Sequence, residues 1–122
     1  MGTITGTGLD VMAYLLSDYF TYVANGTGTT AEATTDTSLA AENTLYGSAR
    51  KTGTVTFSSD KTGTTIWNVL FSFTDTVIVR EYGIFTSSSG GSMLYRRVLS
   101  ANRTYQDADS MELTITHTFA RS

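Results

Sequence analysis

Several residue types are missing or scarce in this 122-residue chain, and each shortage excludes a class of protein. Cysteine is absent, which excludes disulfide bonds and thiolate metal sites. Only 16% of the residues are charged, and the net charge is −3. Because binding to a phosphate backbone needs clustered basic side chains, we expect no nucleic-acid partner. No apolar run approaches the roughly 20 residues that span a bilayer, and no basic stretch precedes one, so we expect neither a membrane partner nor a secretory signal.

Threonine, serine and glycine take the place of the missing charges. Hydrophobic residues make up 40% of the chain, which suits a globular protein with one core. Threonine and aromatic side chains fit the pleated surface of a sheet, so the composition favours a β protein. We expect a single domain over residues 1–122.

One helix is predicted near the start, over residues 9–20. Its apolar residues recur at helical spacing, at Leu9, Met12, Ala13, Leu16 and Phe20. Asp10 is expected in the first turn, where a negative charge suits the helix dipole. The preceding residues 1–8, MGTITGTG, are predicted to form a flexible arm that orders only against another subunit.

After the helix, the hydrophobic period changes to two. Six strands are predicted, over 20–24, 49–59, 64–74, 76–86, 93–100 and 111–121, with short Gly/Ser/Asp turns between them. In the third strand Trp67 and Phe71 face one side and Ile66 and Leu70 the other, which predicts that both faces are covered. Gly83 predicts a bulge or a close backbone approach. The pattern predicts a mainly β fold, an antiparallel β-sandwich or jelly-roll-like barrel with one N-terminal helix.

The stretch YVANGTGTTAEATTDTSLAAEN, residues 22–43, raises the question of a phosphate-binding loop. It lacks the lysine of the P-loop motif and the third glycine of the dinucleotide fingerprint. We therefore predict a structured surface loop, with a turn at Asn25–Gly26. Asp36 or Thr37 would cap a short helix that carries Leu39 and ends near Glu42.

No residue pattern indicates an active site. His117 is the only histidine and is predicted to face the apolar side of the last strand, as a packed, hydrogen-bonded residue. Glu81 and Glu112 are the candidates for a glycosidase pair, which needs two acids across a cleft. Asp107 and Asp109 are spaced like the start of a calcium loop but lack its later glycine and glutamate, so a turn with Asx hydrogen bonds is predicted. We expect no catalytic residue, no metal and no cofactor.

The charges on two of the predicted strands have a simpler explanation than chemistry. Glu81 follows Arg80 within one predicted strand, and Arg96 and Arg97 lie on a predicted neighbouring strand. Cross-strand ion pairing and pairing at a subunit interface both account for them.

The order of four motifs resembles that of small structural proteins of tailed bacteriophages. These motifs are GLDVMAYLLSD, FTYVANGTGTTAEATTDTSLAAE, VREYGIFTSSSGGSMLYRRVLS and DADSMELTITHTF, between Gly8 and Phe119. The resemblance implies a virion component without enzymatic activity, assembled in the bacterial host cytoplasm. It does not fix the place in the virion. Segment 46–65 departs from the pattern apart from Arg50.

Our leading expectation is a capsid decoration or cement protein that binds between capsid subunits and stabilises the head. The expected partners are the major capsid protein or other virion proteins, and a dimer or trimer of this chain. The alternative is a tail, baseplate or fibre component that binds host surface glycans through exposed Tyr82, Tyr95 or Tyr105. The arm and segment 46–65 are the expected contact surfaces. The predicted interface residues are Gly2, Thr3, Ile4, Arg50, Lys51, Glu81, Arg96 and Arg97.

Overall fold

The chain folds into two antiparallel sheets with one helix against them. A computed structural model describes residues 2–58 and 60–119. In these residues helix α1 is followed by seven strands. Their bounds are α1 (Gly6–Tyr19), β1 (Tyr22–Gly26), β2 (Lys51–Thr52), β3 (Thr54–Phe57), β4 (Thr64–Ser72), β5 (Val77–Phe85), β6 (Met93–Tyr105) and β7 (Ser110–Thr118). The sheet orders are β2-β1-β5-β6 and β3-β4-β7. The prediction of a mainly β, antiparallel sandwich with an N-terminal helix is confirmed.

Helix α1 begins three residues earlier than the sequence analysis predicts. The Thr5 hydroxyl accepts a hydrogen bond from the Gly8 N–H at 3.0 Å, so Thr5 is the N-cap and Gly6–Gly8 are helical rather than part of an arm. Asp10 therefore lies beyond the first turn. Its carboxylate instead accepts a hydrogen bond from the Lys61 N–H and lies 3.6 Å from the Lys61 Nζ, which ties the helix to the turn before β4.

The main core lies between the two sheets. Trp67, Val69 and Phe71 of β4 point into it, as their alternation predicts. The prediction that both faces of this strand are covered is wrong, because Ile66 is 37% exposed and Leu70 53% exposed.

Several strand boundaries differ from the predicted ones. Strand β1 runs from Tyr22 to Gly26 and pairs with β5 over its whole length, so the turn predicted at Asn25–Gly26 is wrong. The second predicted strand is split at Gly53, where the chain crosses from one sheet to the other and a side chain would collide with the Asn68 carbonyl. Strand β6 continues to Tyr105, past the predicted end at Ser100. Met1, Ser59 and residues 120–121, which belong to the predicted arm, second strand and last strand, lie outside the described residues.

A bulge in the pairing of β5 with β6 decides which side chains face the core. The pairing with β6 shifts between Val79 and Glu81. Val79 faces the core before the bulge, and Tyr82 and Ile84 face it afterwards, so the alternation has moved by one residue. Glu81 and Phe85 are consequently placed on the outer side of the four-stranded sheet.

The Phe71→Ala variant should lose about 3–5 kcal/mol of unfolding free energy, because Phe71 is 0% exposed and stacks on Phe73. The neighbouring Leu70→Ala variant on the exposed face should lose about 1 kcal/mol or less. Urea denaturation of both variants measures the difference. Equal losses would contradict the placement of the core on one face of β4.

Candidate functional site

Residues 27–50, here called the covering loop, lie over the outer face of the four-stranded sheet. A second small core forms beneath the loop, where Leu39 packs with Ala24 and Phe85. The short helix predicted near Leu39 is absent, since this part of the loop is built from turns and bends. The reason is that the backbone N–H groups that follow Leu39 bind a side chain instead of helical carbonyls.

That side chain is Glu81, which is 0% exposed. One of its carboxylate oxygens accepts hydrogen bonds from the N–H groups of Gly28 at 2.7 Å and Ala41 at 2.9 Å. The other accepts from the Ala40 N–H at 2.9 Å and from the Arg96 Nε at 3.0 Å. The glycine–threonine stretch is thus an anion-binding loop, and the anion is the protein's own carboxylate.

The two glycines of the GTG motif are explained by this contact. A Cβ atom at Gly28 would collide with the Glu81 carboxylate, and one at Gly26 would collide with the Ala41 carbonyl. Only a residue without a side chain lets the backbone approach so closely. The motif resembles a nucleotide loop because both need backbone N–H groups close to an anion.

Arg96 is the second buried charge, with a side chain that is 3% exposed. Besides Glu81 it contacts the Asp36 carboxylate at 3.0 Å through Nη1, and it donates to the Thr30 carbonyl at 2.8 Å through Nη2. The predicted cross-strand pairing of Glu81 with Arg96 is confirmed. The arginine also holds the first half of the covering loop, a role that the sequence did not reveal.

Both buried groups remain charged. Burial alone would raise the pKa of Glu81, but the hydrogen bonds from the Ala41 and Ala40 N–H groups, Arg96 and the Gly28 N–H outweigh it, and the pKa lies below its usual range. Burial alone would lower the pKa of Arg96, yet its hydrogen bonds to the two carboxylates raise it. The network therefore contains a charged pair that is fully hydrogen-bonded, which is the condition for burying charge.

A second cluster fixes the far end of the loop. Arg50 binds the Glu42 carboxylate with two hydrogen bonds, of 2.8 and 2.9 Å. Its Nη1 donates to the carbonyls of Ser87 and Gly90, in the turn between β5 and β6. The guanidinium also stacks over Phe85, 3.6 Å from the ring centroid. The covering loop is therefore held by two clusters of side chains, one around Glu81 and Arg96 and the other around Arg50.

The predicted interface residues occupy very different places. Arg50, Glu81 and Arg96 are engaged inside the chain, as described. Arg97 is exposed, and Lys51 is half-buried with its Nζ 5.9 Å from the centre of the Phe71 ring. Gly2 and Thr3 are exposed and Ile4 is half-buried. That these eight residues contact a partner stays a prediction.

The residues considered for chemistry are not brought together. Glu81 lies in the four-stranded sheet and Glu112 in the other, where it is exposed. Near Asp107, the Asp109 carboxylate accepts a hydrogen bond from the Gln106 N–H at 2.7 Å. A turn held by an aspartate side chain is therefore present as predicted, but the bond runs back three residues, whereas that of an Asx turn runs forward two. His117 is partly buried, but its Nδ1 has no hydrogen-bond partner among the described residues, so the expected hydrogen bond at that nitrogen is missing.

Residues 2–58 and 60–119 contain neither a metal-binding cluster nor a membrane-spanning helix. No group of three or more His, Asp or Glu side chains in these ranges is arranged to hold a metal ion. Within the same ranges, no helix has the length and apolar character needed to cross a membrane.

The tyrosines expected to stack on glycans are not freely exposed. Tyr82 is buried, and its ring lies 6.2 Å from that of the half-buried Tyr95. Tyr105 is half-buried and packs against Phe73 with ring centroids 5.0 Å apart. The expectation of an exposed ring is therefore wrong for Tyr82, and the rings of Tyr95 and Tyr105 are only partly exposed. The alternation of apolar and polar residues in the sequences of β5 and β6 did not predict this burial, because the bulge turns the Tyr82 side chain into the core.

Comparison with known protein families gives a match over most of the chain. The family model of the podophage GP4 fiber I protein gp80 matches residues 18–119. The chain belongs to this family. Comparison with curated protein sequences gives no match. The match to the fiber I family begins near the end of α1 and spans all seven strands, the covering loop and both anchoring clusters.

Membership of the fiber I family makes the chain a small structural protein of a tailed-phage virion, and the resemblance seen in the sequence is confirmed. Most of helix α1 precedes the matched region. The part shared with the family is therefore the sandwich together with its covering loop.

The Glu81→Gln variant should lose about 3–5 kcal/mol of unfolding free energy, because the buried Arg96 would lose one of its two carboxylate partners and the loop N–H groups would lose their charged acceptor. Urea denaturation gives the loss, and hydrogen exchange at the Gly28, Ala40 and Ala41 amides should accelerate. Glu112→Gln, an exposed carboxylate on β7, is the matched control and should change stability by about 0.5 kcal/mol or less. Equal effects would show that the carboxylate does not hold the loop.

Acidification should remove the stabilisation that the ionised Glu81 carboxylate gives to the fold. The folded pKa of Glu81 lies below its ordinary value of 4.5, so the ionised carboxylate stabilises the fold above that pH. The stabilisation is lost as the pH falls through the folded pKa. The difference in urea midpoint between the wild type and Glu81→Gln should stay constant from neutral pH to about pH 5 and shrink below about pH 4.5. A difference that grows on acidification would contradict the direction of the shift.

Proposed function

We propose that this chain is a structural component of the fibre or tail apparatus of the virion and has no enzymatic activity. The observation that carries the proposal is the family match, which covers every strand and whose description names a fiber protein. The capsid decoration role expected from the sequence has weaker support, because that description names no head protein.

The geometry supports a structural role in two ways. The buried charged side chains Glu81, Arg96 and Arg50 are all used to hold the covering loop, which leaves their polar atoms engaged within the chain. The carboxylates of Glu81 and Glu112 lie in different sheets, so they do not form the pair that glycoside hydrolysis needs.

The exposed surface supports assembly with other proteins. Tyr19, Val11 and Leu15 of α1 are exposed, as is Leu70 on the outer face of the three-stranded sheet. Apolar and aromatic side chains of this kind, with few charges among them, are typical of the centres of protein interfaces. The partners that we propose are other virion proteins and further copies of this chain, as a dimer or trimer assembled in the host cytoplasm.

Immunogold electron microscopy of purified virions tests the location. An antibody raised against the recombinant chain should label the tail or its fibres, and prior incubation of the antibody with the purified chain should abolish the label. Quantitative mass spectrometry of the same virions should give far fewer copies than the major capsid protein. Gold spread over the heads, with a copy number comparable to that of the major capsid protein, would overturn the proposal in favour of decoration.

A further inference from the structure

Three of the sheet edges are protected against pairing with a further strand. Over residues 2–58 and 60–119 the two sheets end at β2, β3, β6 and β7. Strands β2 and β3 have only two and four residues, and α1 packs against β3. Strand β6 pairs with β5 through register shifts and carries the exposed Arg97 and Arg103. Short length, bulges and charges are the features that keep a sheet edge from adding another strand.

Strand β7 has none of these features. All nine of its residues, from Ser110 to Thr118, pair with β4 in one unbroken register. Apart from His117, its only acidic or basic side chain is Glu112, and it contains no proline. In the described part of the chain no strand pairs with its other edge, so the backbone N–H and C=O groups that point there are available to a further strand.

The core is incompletely covered along the same side of the sandwich. On β6 and β7, Leu94, Leu99 and Leu113 pack on the core but are only half-buried. Two cavities, of about 140 and 170 Å³, are each lined by residues of both strands. A partner on this side would remove apolar side chains from water, which favours association.

The sequence of β7 is suited to antiparallel pairing with a second copy of itself. When the twofold axis passes beside Thr114, all nine residues are paired, and inward-facing residues meet inward-facing ones. On the outer face Thr114 meets its own equivalent, and Glu112 meets Thr116 rather than a second glutamate. On the inner face Leu113 meets Ile115. Aliphatic residues therefore meet beside the axis and no like charges meet, which is favourable between strands.

The contact area is sufficient for a dimer. A strand of nine residues is about 30 Å long, and two stacked sheets lie about 10 Å apart. With the side chains of the outer faces included, contact along this side buries on the order of 1,000 Å² in total, which is the lower bound for a specific interface.

We propose that this protein dimerises through β7, with the β7 strands of two copies antiparallel about Thr114. The two three-stranded sheets then form one sheet of six strands. The partner is a second copy because the strand is complementary to itself. The open outer face, which carries Leu70 in each copy, extends across the dimer. The inference deepens the proposed association with further copies and rests on that association, but not on the fibre location.

Sedimentation equilibrium of the full chain from about 10 µM to 1 mM tests the association, and charge substitutions at Thr114 test the register. Thr114→Lys and Thr114→Glu each place two like charges opposite one another, so each variant alone should dimerise about tenfold more weakly than the wild type. An equimolar mixture of the two variants should dimerise at least as tightly as the wild type, because opposite charges then meet. Recovery in the mixture also shows that both variants are folded.

Thr56→Lys is the matched control, because Thr56 is exposed on β3, on the same outer face but away from the β7 edge. This variant should dimerise like the wild type. A wild-type chain that is trimeric, or still monomeric at about 1 mM, would overturn the inference. So would Thr114 variants that dimerise unchanged, or a mixture that dimerises as weakly as its components.

A distance measurement tests the antiparallel arrangement. The chain has no cysteine, so Ser110→Cys provides a single attachment point for a spin label. In the proposed dimer the two labels lie at opposite ends of the paired strands, and double electron–electron resonance should give a distance of roughly 25–35 Å. A distance below about 15 Å would place the two labels at the same end of the interface and contradict the arrangement.

The inference and the fibre location fail separately. Dimerisation through β7, together with gold label over the heads, would overturn the location and leave the inference standing. Labelled tails, together with Thr114 variants that dimerise unchanged, would overturn the inference alone.

Discussion

The buried pairing of Glu81 with Arg96 is the interaction on which the rest of this structure depends. A carboxylate without solvent exposure is strongly destabilising unless hydrogen bonds and an opposite charge compensate it. Here three backbone N–H groups and a guanidinium provide that compensation. All three N–H groups belong to the covering loop, so the requirement to satisfy one carboxylate determines the path of more than twenty residues that have no regular secondary structure.

The covering loop in turn gives the molecule its asymmetry. It buries the outer face of the four-stranded sheet, where Leu39 packs on Phe85, and leaves the outer face of the three-stranded sheet exposed at Leu70. The sandwich therefore has one covered and one open outer face. The family match includes the loop and both of its anchors, so these belong to the part of the chain shared with the fiber I family.

Much of the fold follows from patterns that can be read without coordinates. The period-two alternation of β4 and β7 specifies which residues enter the core, and Trp67, Phe71 and Ile115 do so. The sequence also places Glu81 and Arg96 on neighbouring strands, close enough to pair. The helix start was missed because the capping Thr5 lies within a stretch of glycine and threonine that has the composition of a flexible arm.

The sequence by itself determined the class of fold, the positions of most strands and the kinship with phage virion proteins, because hydrophobic period and motif order are local properties of the chain. Only the tertiary structure decided what the glycine–threonine stretch binds. The bulge after Val79 moves Glu81 out of the core and under a loop whose Gly28 lies 53 residues earlier in the chain. Such a contact leaves no periodic signal, since it depends on where two distant segments meet and on the need of a buried charge for hydrogen bonds.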